Sequence, residues 1–239
     1  MPVSSNTLFH FTSKYETLLK ILNSQGFWPR YCIEYGWGKG RNYNFAVAQC
    51  CFCDIPLSLI QNHTKTYGEY GLGMSKDWGI RCKLSPLHYY VENSAVLDAI
   101  NNLRKNANEQ KLRSSIDYLS FIKQYKGFTY RQDEQGNPRR KNNIVFYDER
   151  EWRFVPIING ACACKVIKDS NDFDVNKESE NTKDYMCMFT AKDIKYIIIK
   201  DEEERMMLLK ELDSMNFDKD ELPLLKSKIL TSMQIKEDF

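Results

Sequence analysis

The amino-acid sequence predicts an α+β fold, with a mixed, mostly antiparallel sheet, flanking helices and a helical insertion near its middle. Short runs rich in β-branched and aromatic residues are typical of strands. Between them lie segments whose apolar residues recur at helix spacing, and this spacing dominates residues 94–126. Because 239 residues are enough for one domain, we expect a single domain over residues 1–239.

The chain opens with a predicted strand at residues 7–12, TLFHFT, which is followed by a predicted helix. Ser13 and Glu16 have the spacing of a capping box at the helix start, and Gly26 marks its expected end. The aromatic segment that follows, FWPRYCIEYGWG, would bury its rings poorly if it were only a loop.

Residues 45–53, FAVAQCCFC, have the composition of a buried strand, and Asp54 and Pro56 end it. Further along we predict a short helix at 58–67, a glycine-punctuated strand at 68–74, either a turn or a capped helix start at 75–79, and a strand at 86–92.

In the second half, helix spacing predicts two helices within residues 94–126, separated near residues 106–109. The other predictions are a loop at 127–143, a strand-like run at 144–158, and an exposed acidic loop or lid at 165–185. They continue with a helix start at 191–194, a central strand at 196–200 and a helical segment over 201–239.

Composition limits the class of protein. The net charge is +2, which neither requires nor excludes nucleic acid, and the densest basic run, residues 131–141, contains acids, Gly136 and Pro138, which predicts a solvated loop. The start of the chain does not resemble a signal peptide, and no apolar run approaches the ~18 residues that span a membrane. With eight cysteines and no such signal, we expect a cytoplasmic protein with no membrane partner.

The cysteines favour packing over metal binding. Cys51 and Cys53 are spaced C-x-C, as are Cys162 and Cys164, whereas structural zinc usually shows C-x₂₋₄-C pairs. In a strand, the C-x-C spacing places both thiols on one face, which suits a lining of small apolar residues. We predict core cysteines and no metal site, with metal and redox roles as the alternatives.

His10 lies between Phe9 and Phe11 in the opening strand. Strand alternation places the two phenylalanines on one face and His10 with Thr12 on the other. If the rings pack on the core, His10 and Thr12 face a cleft. The alternative is a partly buried histidine with a structural role.

Glu149 and Glu151 lie two residues apart in the strand-like run VFYDEREWRFV. Carboxylates on one strand face repel each other, so at least one needs a raised pKa or an arginine partner. Such a carboxylate can hold a hydroxyl group or act as a base. The alternative is an edge strand with solvated charges.

A third set of candidates follows the cysteine-rich strand. His63 and Tyr67 are four residues apart and share one helix face, and Asp54 either caps the next helix or faces a site. These residues, with the Tyr-Gly pairs after them, are predicted to form one wall of a cleft whose other walls are His10 and Glu151. The chain has no P-loop, HExxH, GxSxG or Rossmann glycine motif.

Three of these segments resemble the AbiGi family of bacterial abortive-infection proteins. They are the opening HFT of His10 to Thr12, the FCDIPLS block with the following H…YG.YG.G pattern, and the later Glu151-Trp152-Arg153. The resemblance covers about residues 8–90 and 144–158. It implies the antitoxin half of a phage-defence pair, with a cognate toxin or other defence protein as partner.

A more distant resemblance is to the ADP-ribosyltransferase superfamily, whose fold and NAD cofactor it would imply. By position, His10 would contact the NAD ribose, Tyr67 or Tyr70 would stack on nicotinamide, and Glu151 with Glu149 would supply the catalytic E-x-E pattern. The middle block differs from the family, having FCDIPL in place of its usual strand. Together with the cleft prediction, the candidate cofactor-binding residues are His10, Thr12, Asp54, His63, Tyr67 and Tyr70.

Two functional hypotheses follow. The first is a defence protein that acts by binding a protein partner on such a fold. The alternative is an active NAD-dependent ADP-ribosyltransferase, in which Glu151 stabilises a cationic transition state and a nucleic acid or protein is modified.

Overall fold

The computed structural model describes residues 5–37, 43–105, 117–132, 138–167 and 173–238. They divide into two compact units. The first unit takes its residues from 1–27, 51–84 and 186–239, and the second unit from 28–50 and 85–185.

The strands of the described chain are β1 (Thr7–Thr12), β2 (Gly26–Phe27), β3 (Arg30–Trp37), β4 (Tyr43–Cys53), β5 (Tyr70–Ser75), β6 (Ser85–Pro86), β7 (His88–Tyr90), β8 (Ile122–Gln124), β9 (Lys126–Gln132), β10 (Pro138–Val145), β11 (Glu151–Phe154), β12 (Ile157–Ile158), β13 (Ala161–Cys162), β14 (Cys164–Ile167), β15 (Cys187–Met188), β16 (Ile194–Ile199) and β17 (Ile229–Thr231). The α+β class and the mostly antiparallel pairing are as predicted.

The α-helices are α1 (Tyr15–Ser24), α2 (Gln61–Tyr67), α3 (Lys76–Arg81), α4 (Ala95–Lys105), α5 (Val175–Glu180), α6 (Glu202–Ser214), α7 (Leu222–Lys226) and α8 (Ser232–Asp238). Short 3₁₀ turns lie at Leu57–Leu59, Phe146–Glu149, Lys183–Tyr185 and Ala191–Asp193. Within the described residues, no helix has both the length and the apolar character needed to cross a membrane.

The first unit is built on four neighbouring strands. β5 pairs antiparallel with β1 on one side and with β16 on the other, and β16 pairs parallel with β17. The predicted central strand at YIIIK is therefore confirmed. The hydrophobic core of the first unit contains Phe9, Cys53, Ile55, Ile60, Ile198 and Ile235. The last residues of β4 belong to this unit, and Cys53 there pairs with Phe9 of β1.

The glycines of β5 allow close packing against β1. A Cβ added at Gly71 would lie 2.8 Å from the Phe11 ring, and one at Gly73 would lie 2.9 Å from the Phe9 ring. Since real Cβ atoms do not approach that closely, the predicted close approach at this glycine-punctuated strand is confirmed.

In the second unit, β4 pairs antiparallel with β3 and with β14. β9 and β10 form an antiparallel hairpin, and β7 pairs parallel with β8. One core cluster contains Phe45, Val47, Tyr90, Leu97, Ile100, Leu119, Ile122 and Val155. The first predicted helix of the middle insertion is confirmed as α4, while residues 106–116, where the break and the second helix were predicted, lie outside the described residues.

Several boundaries differ from prediction. Helix α1 begins after Lys14, whose side chain makes no cap, so the predicted Ser13 cap is wrong. The helix ends at Gln25, which takes the left-handed conformation at φ 48°, and Gly26 already belongs to β2. By contrast, the predicted cap at Ser75 is confirmed, because its hydroxyl accepts from the Trp78 backbone N–H at 3.2 Å.

The largest error concerns residues 122–145. The sequence predicts a helix that includes Ile122 and a loop at residues 127–143, but the described residues form β8, β9 and β10. Side-chain spacing alone could not place Ile122, because its burial comes from packing in the second-unit core rather than from a helix face. In the acidic segment, residues 175–180 form α5, with Asp174 as its N-cap.

Candidate functional site

A network of buried and partly buried ionic groups lies in the second unit, with Arg153 at its centre. The Arg153 side chain is 0% exposed. Its Nε donates to Oε1 of Glu151 at 2.9 Å, its Nη2 to Oε1 of Glu34 at 2.8 Å, and its Nη1 to the Ser120 carbonyl oxygen at 2.8 Å. A guanidinium can remain charged in this position because each of its nitrogens donates to an acceptor.

Lys123 adds the second cation. Its Nζ donates to Oε2 of Glu151 at 2.7 Å and to Oε2 of Glu149 at 3.0 Å. Burial alone would lower the pKa of Lys123, but the carboxylates of Glu151, Glu34 and Glu149 raise it well above its ordinary value. The lysine is therefore a permanent cation at physiological pH.

The local backbone explains how the two glutamates come together. Glu149 ends the 3₁₀ turn Phe146–Glu149, Arg150 then takes the left-handed conformation at φ 42°, and Glu151 begins β11. The prediction that Glu149 and Glu151 share a strand face is therefore wrong, because the chain turns between them. The predicted cationic partner is confirmed, and Glu151 has two.

The arrangement limits what Glu151 can do. One carboxylate oxygen accepts from Arg153 and the other from Lys123, and the side chain is 5% exposed. Its backbone N–H donates to the Tyr89 hydroxyl at 2.9 Å. Burial raises the pKa of Tyr89, and the Glu151 carboxylate raises it further, so this hydroxyl stays protonated. A carboxylate with these contacts is suited to a structural role, in which it holds the neighbouring segments in place.

A small cavity of about 140 Å³ adjoins the network. Its walls include Glu34 and Lys123 and the rings of Tyr35, Phe128 and Phe146. Pockets that enclose cofactors or drug-sized ligands usually measure ~300–1,000 Å³. The cavity is therefore of a size for water or a small group.

Two exposed tyrosines belong to the segments that carry the network: Tyr147 lies in the 3₁₀ turn Phe146–Glu149, and Tyr125 lies between β8 and β9. Tyr125 and Tyr147 are 41% and 45% exposed. The Tyr147 ring centroid lies 5.8 Å from that of Tyr125 and 5.3 Å from that of Tyr89, and the Arg150 guanidinium lies 5.9 Å from it. We call these four residues the tyrosine surface. Tyr89 links it to the network through the Glu151 backbone.

In the first unit, His10 is packed among aromatic rings. Its ring centroid lies 5.1 Å from that of Phe27 and 5.5 Å from that of Phe52. Nδ1 donates to the Cys51 carbonyl oxygen at 2.8 Å. Burial lowers the pKa of His10, although the Cys51 contact opposes this, and the imidazole is neutral. The His10 ring is half-buried, and its ring contacts fit the alternative interpretation of a partly buried histidine with a structural role.

Asp54 anchors two parts of the first unit. Its Oδ2 accepts from Lys76 Nζ at 2.8 Å and its Oδ1 from the Ser5 backbone N–H at 3.0 Å. The N-cap of the following turn is Pro56, with no side-chain cap, so the interpretation of Asp54 as a helix cap is wrong.

The predicted shared face of α2 is confirmed, because the His63 and Tyr67 rings stack with centroids 6.0 Å apart. The Tyr70 hydroxyl donates to Oε1 of Glu204 at 2.7 Å. Burial and that carboxylate raise the pKa of Tyr70. Tyr70 therefore has a structural partner within the first unit.

The prediction of core cysteines is confirmed at Cys50, Cys53 and Cys187, which are buried and form no disulfide, whereas Cys51, Cys162 and Cys164 of the two C-x-C pairs are half-buried. Cys53 packs with Phe9 in the first-unit core. Among the residues that the structure describes, no group of three histidine, cysteine or acidic side chains is arranged to hold a metal ion.

The structure therefore brings together Glu149 and Glu151 in the second unit, and places His10, Thr12, Asp54, His63, Tyr67 and Tyr70 in the first. The single cleft and the NAD-binding roles stay predictions. Sequence reasoning missed Lys123, Glu34 and Tyr89. No sequence motif includes these residues, and the helix spacing of residues 112–122 predicts that Lys123 lies at the end of a helix, whereas it lies in β8.

The fold and the network define an α+β protein whose second unit carries a network of shared ionic contacts next to an exposed aromatic surface. The chain belongs to the AbiGi family: residues 25–200 match the family described as "Putative abortive phage resistance protein AbiGi, antitoxin". The first resemblance in the sequence is thereby confirmed.

The chain is also similar to the abortive phage resistance protein AbiGi of Lactococcus lactis subsp. cremoris. The two are 26% identical over 221 residues, which cover 81% of this chain and 89% of that protein. No solved structure matches the chain. The resemblance to ADP-ribosyltransferases therefore stays a prediction.

Proposed function

We propose that this protein is an antitoxin of an abortive phage resistance system and that it binds a toxin protein through the tyrosine surface. The family description and the name of the Lactococcus relative support the first part of the proposal. The observation that carries the second part is the exposure of Tyr125 and Tyr147 beside Arg150.

The composition of the surface supports this role. Tyrosine and arginine are enriched at protein interfaces and among the residues that contribute most to binding energy. Tyr125 and Tyr147 each present a large ring with few rotatable bonds, so little side-chain entropy is lost when a partner covers them. The Tyr147 ring is already in contact with Tyr89 and Tyr125, which limits its freedom before binding.

The charge network contributes by holding this surface in place. Lys123 joins β8 to the turn that carries Tyr147, because it binds both Glu149 and Glu151. Its Nζ also lies 4.6 Å from the centre of the Phe146 ring in the same turn. A surface fixed before binding gives higher affinity because less ordering remains for the bound state.

Catalysis by Glu151 has weaker support than binding. A catalytic carboxylate must offer an oxygen to the substrate, and both oxygens of Glu151 accept from cations. An NAD-dependent activity would require the network to open. The binding role requires no such change.

The test is toxin neutralisation by a variant with Tyr125→Ala and Tyr147→Ala together. Cells that express the toxin of the same defence pair should grow with the wild-type chain and fail to grow with this variant. Purified proteins should show a dissociation constant at least about 30-fold higher, since hot-spot residues contribute ~2 kcal/mol or more. Tyr185→Ala is the matched control, because Tyr185 is an exposed tyrosine of the same unit without these ring contacts.

Neutralisation by the double variant at wild-type level would show that the toxin binds elsewhere. Circular dichroism and the unfolding midpoint of each variant keep the result interpretable, because both side chains are exposed and the fold should not depend on them.

A further inference from the structure

A second surface of the second unit combines aromatic rings with basic side chains. It lies on the hairpin of β9 and β10, where strand alternation places Lys126, Phe128 and Tyr130 on one face. Arg140 is paired directly with Tyr130 across the hairpin and shares that face. We call these four residues, with the adjoining Tyr35, the hairpin face.

The rings of the hairpin face are in mutual contact. The Tyr35 and Tyr130 centroids lie 4.8 Å apart, and the Phe128 centroid lies 6.3 Å from Tyr35 and 6.2 Å from Tyr130. The Arg140 guanidinium lies 3.9 Å from the centre of the Phe128 ring. Tyr130 remains 41% exposed, so the face presents an open aromatic ring next to a guanidinium plane.

The hairpin concentrates the positive charge of the chain. Residues 126–145 contain five basic and two acidic residues, a net charge of +3 in a chain whose total is +2. Lys126, Arg139, Arg140 and Lys141 are exposed. The carboxylate in the wall of the adjoining cavity, that of Glu34, accepts from Arg153 and does not neutralise these cations.

We propose that the hairpin face binds single-stranded nucleic acid. Bases would stack on the exposed ring of Tyr130, and the phosphates would meet Lys126 and Arg140. Proteins that bind single strands without sequence preference combine a positively charged track with aromatic stacking in this way. The interleaving of rings and cations on one face favours a nucleic acid over an acidic protein, which would need the cations but not the open ring.

Single strands are favoured over duplexes for a geometric reason. Bases stacked inside a duplex do not offer their ring faces to a tyrosine, whereas unpaired bases do. We therefore expect the hairpin face to bind single strands more tightly than duplexes. Charge alone would give the opposite order, because a duplex has the denser phosphates.

The experiment is fluorescence anisotropy with the full chain and three labelled probes: an oligouridylate of about 12 nucleotides, an oligothymidylate of the same length, and a DNA duplex of about 12 base pairs. We expect both single strands to bind more tightly than the duplex. Tyr130→Ala should weaken single-strand binding at least about fivefold, as loss of one stacked base does. Tyr130→Phe, which keeps the ring, should retain wild-type binding.

A charge variant supplies an independent readout. Lys126→Ala with Arg140→Ala should reduce the slope of log affinity against log salt concentration by about 1.4, because each phosphate contact to a single strand contributes about 0.7. The matched control is Lys195→Ala with Lys219→Ala, which removes two exposed lysines of the first unit and should leave the slope unchanged.

Three results would overturn the proposal. They are equal binding of duplex and single strands with no effect of Tyr130→Ala, an equal loss in the Lys195 and Lys219 control, and binding of polyglutamate as tight as that of the oligonucleotides. Equally tight binding of polyglutamate would indicate that the hairpin face binds an acidic protein. Tyr125→Ala with Tyr147→Ala should leave nucleic-acid binding intact, so the outcome is separate from that of the toxin test.

Discussion

The two units of this protein accommodate buried polar groups in different ways. In the first unit the half-buried His10 donates to the Cys51 carbonyl oxygen, and the buried Asp54 accepts from the Lys76 ammonium and from the Ser5 backbone N–H. In the second unit the carboxylates of Glu34, Glu149 and Glu151 share Arg153 and Lys123 as partners.

The difference affects how each unit responds to change. A local pair can be lost without disturbing other charges. In a shared network, removal of one cation takes a donor from two carboxylates at once, and a buried charge that loses its partner is costly. We therefore expect the second unit to be sensitive to single substitutions and the first to respond mainly to pH.

The largest effect is expected for Arg153→Met. This change keeps much of the side-chain volume but removes donors from both Glu34 and Glu151, in a position that is 0% exposed. The free energy of unfolding in urea should fall by about 3–5 kcal/mol, the usual cost of breaking a buried ion pair. Arg81→Met is the control, because Arg81 also pairs with a carboxylate, that of Asp193, but its side chain is 62% exposed; its effect should be small.

A double-mutant cycle sharpens this comparison. Glu151→Gln combined with Arg153→Met should cost less than the sum of the two single changes, by about 0.5–3 kcal/mol, because the two residues are in direct contact. Additive costs would mean that the network does not act as a unit, and the contrast between the two units would be lost.

A smaller effect is expected from pH on the first unit. The pKa of His10 is lowered by burial from 6.5, so the folded state keeps this imidazole neutral while the unfolded chain takes up a proton. Its contribution to stability is complete above about pH 6.5 and is lost as the pH falls below that value.

The measurement is the urea midpoint of the wild type and of His10→Phe at several pH values between 5.5 and 7.5, a range set by the ordinary histidine pKa of about 6.5. The variant loses the donor to Cys51 and is less stable throughout, but its midpoint should depend less on pH than that of the wild type. Parallel pH profiles would show that His10 is not the group that titrates.

The sequence predicts those structural features that are determined by residues close together in the chain. The cap at Ser75, the glycines of β5 and the strand Ile194–Ile199 follow from residue types and spacing within a few positions. Glu149 and Glu151 were recognised as candidates for the same reason. Lys123, Glu34 and Tyr89 were missed because they reach the site from three separate segments, and only the paired strands bring those segments together.

The smallest expected effect tests the catalytic hypothesis. Millimolar NAD should not change the thermal unfolding midpoint, because both oxygens of Glu151 are occupied and the adjoining cavity, at about 140 Å³, is smaller than a cofactor pocket. A ligand at 100 times its dissociation constant would add about 2.7 kcal/mol of stability, which corresponds to several degrees in a chain of this length. Glu151→Gln measured with and without NAD is the companion variant. A shift in the wild type that disappears in this variant would mean that the network opens to admit the cofactor, and Glu151 would then belong to an active site rather than to the support of the tyrosine surface.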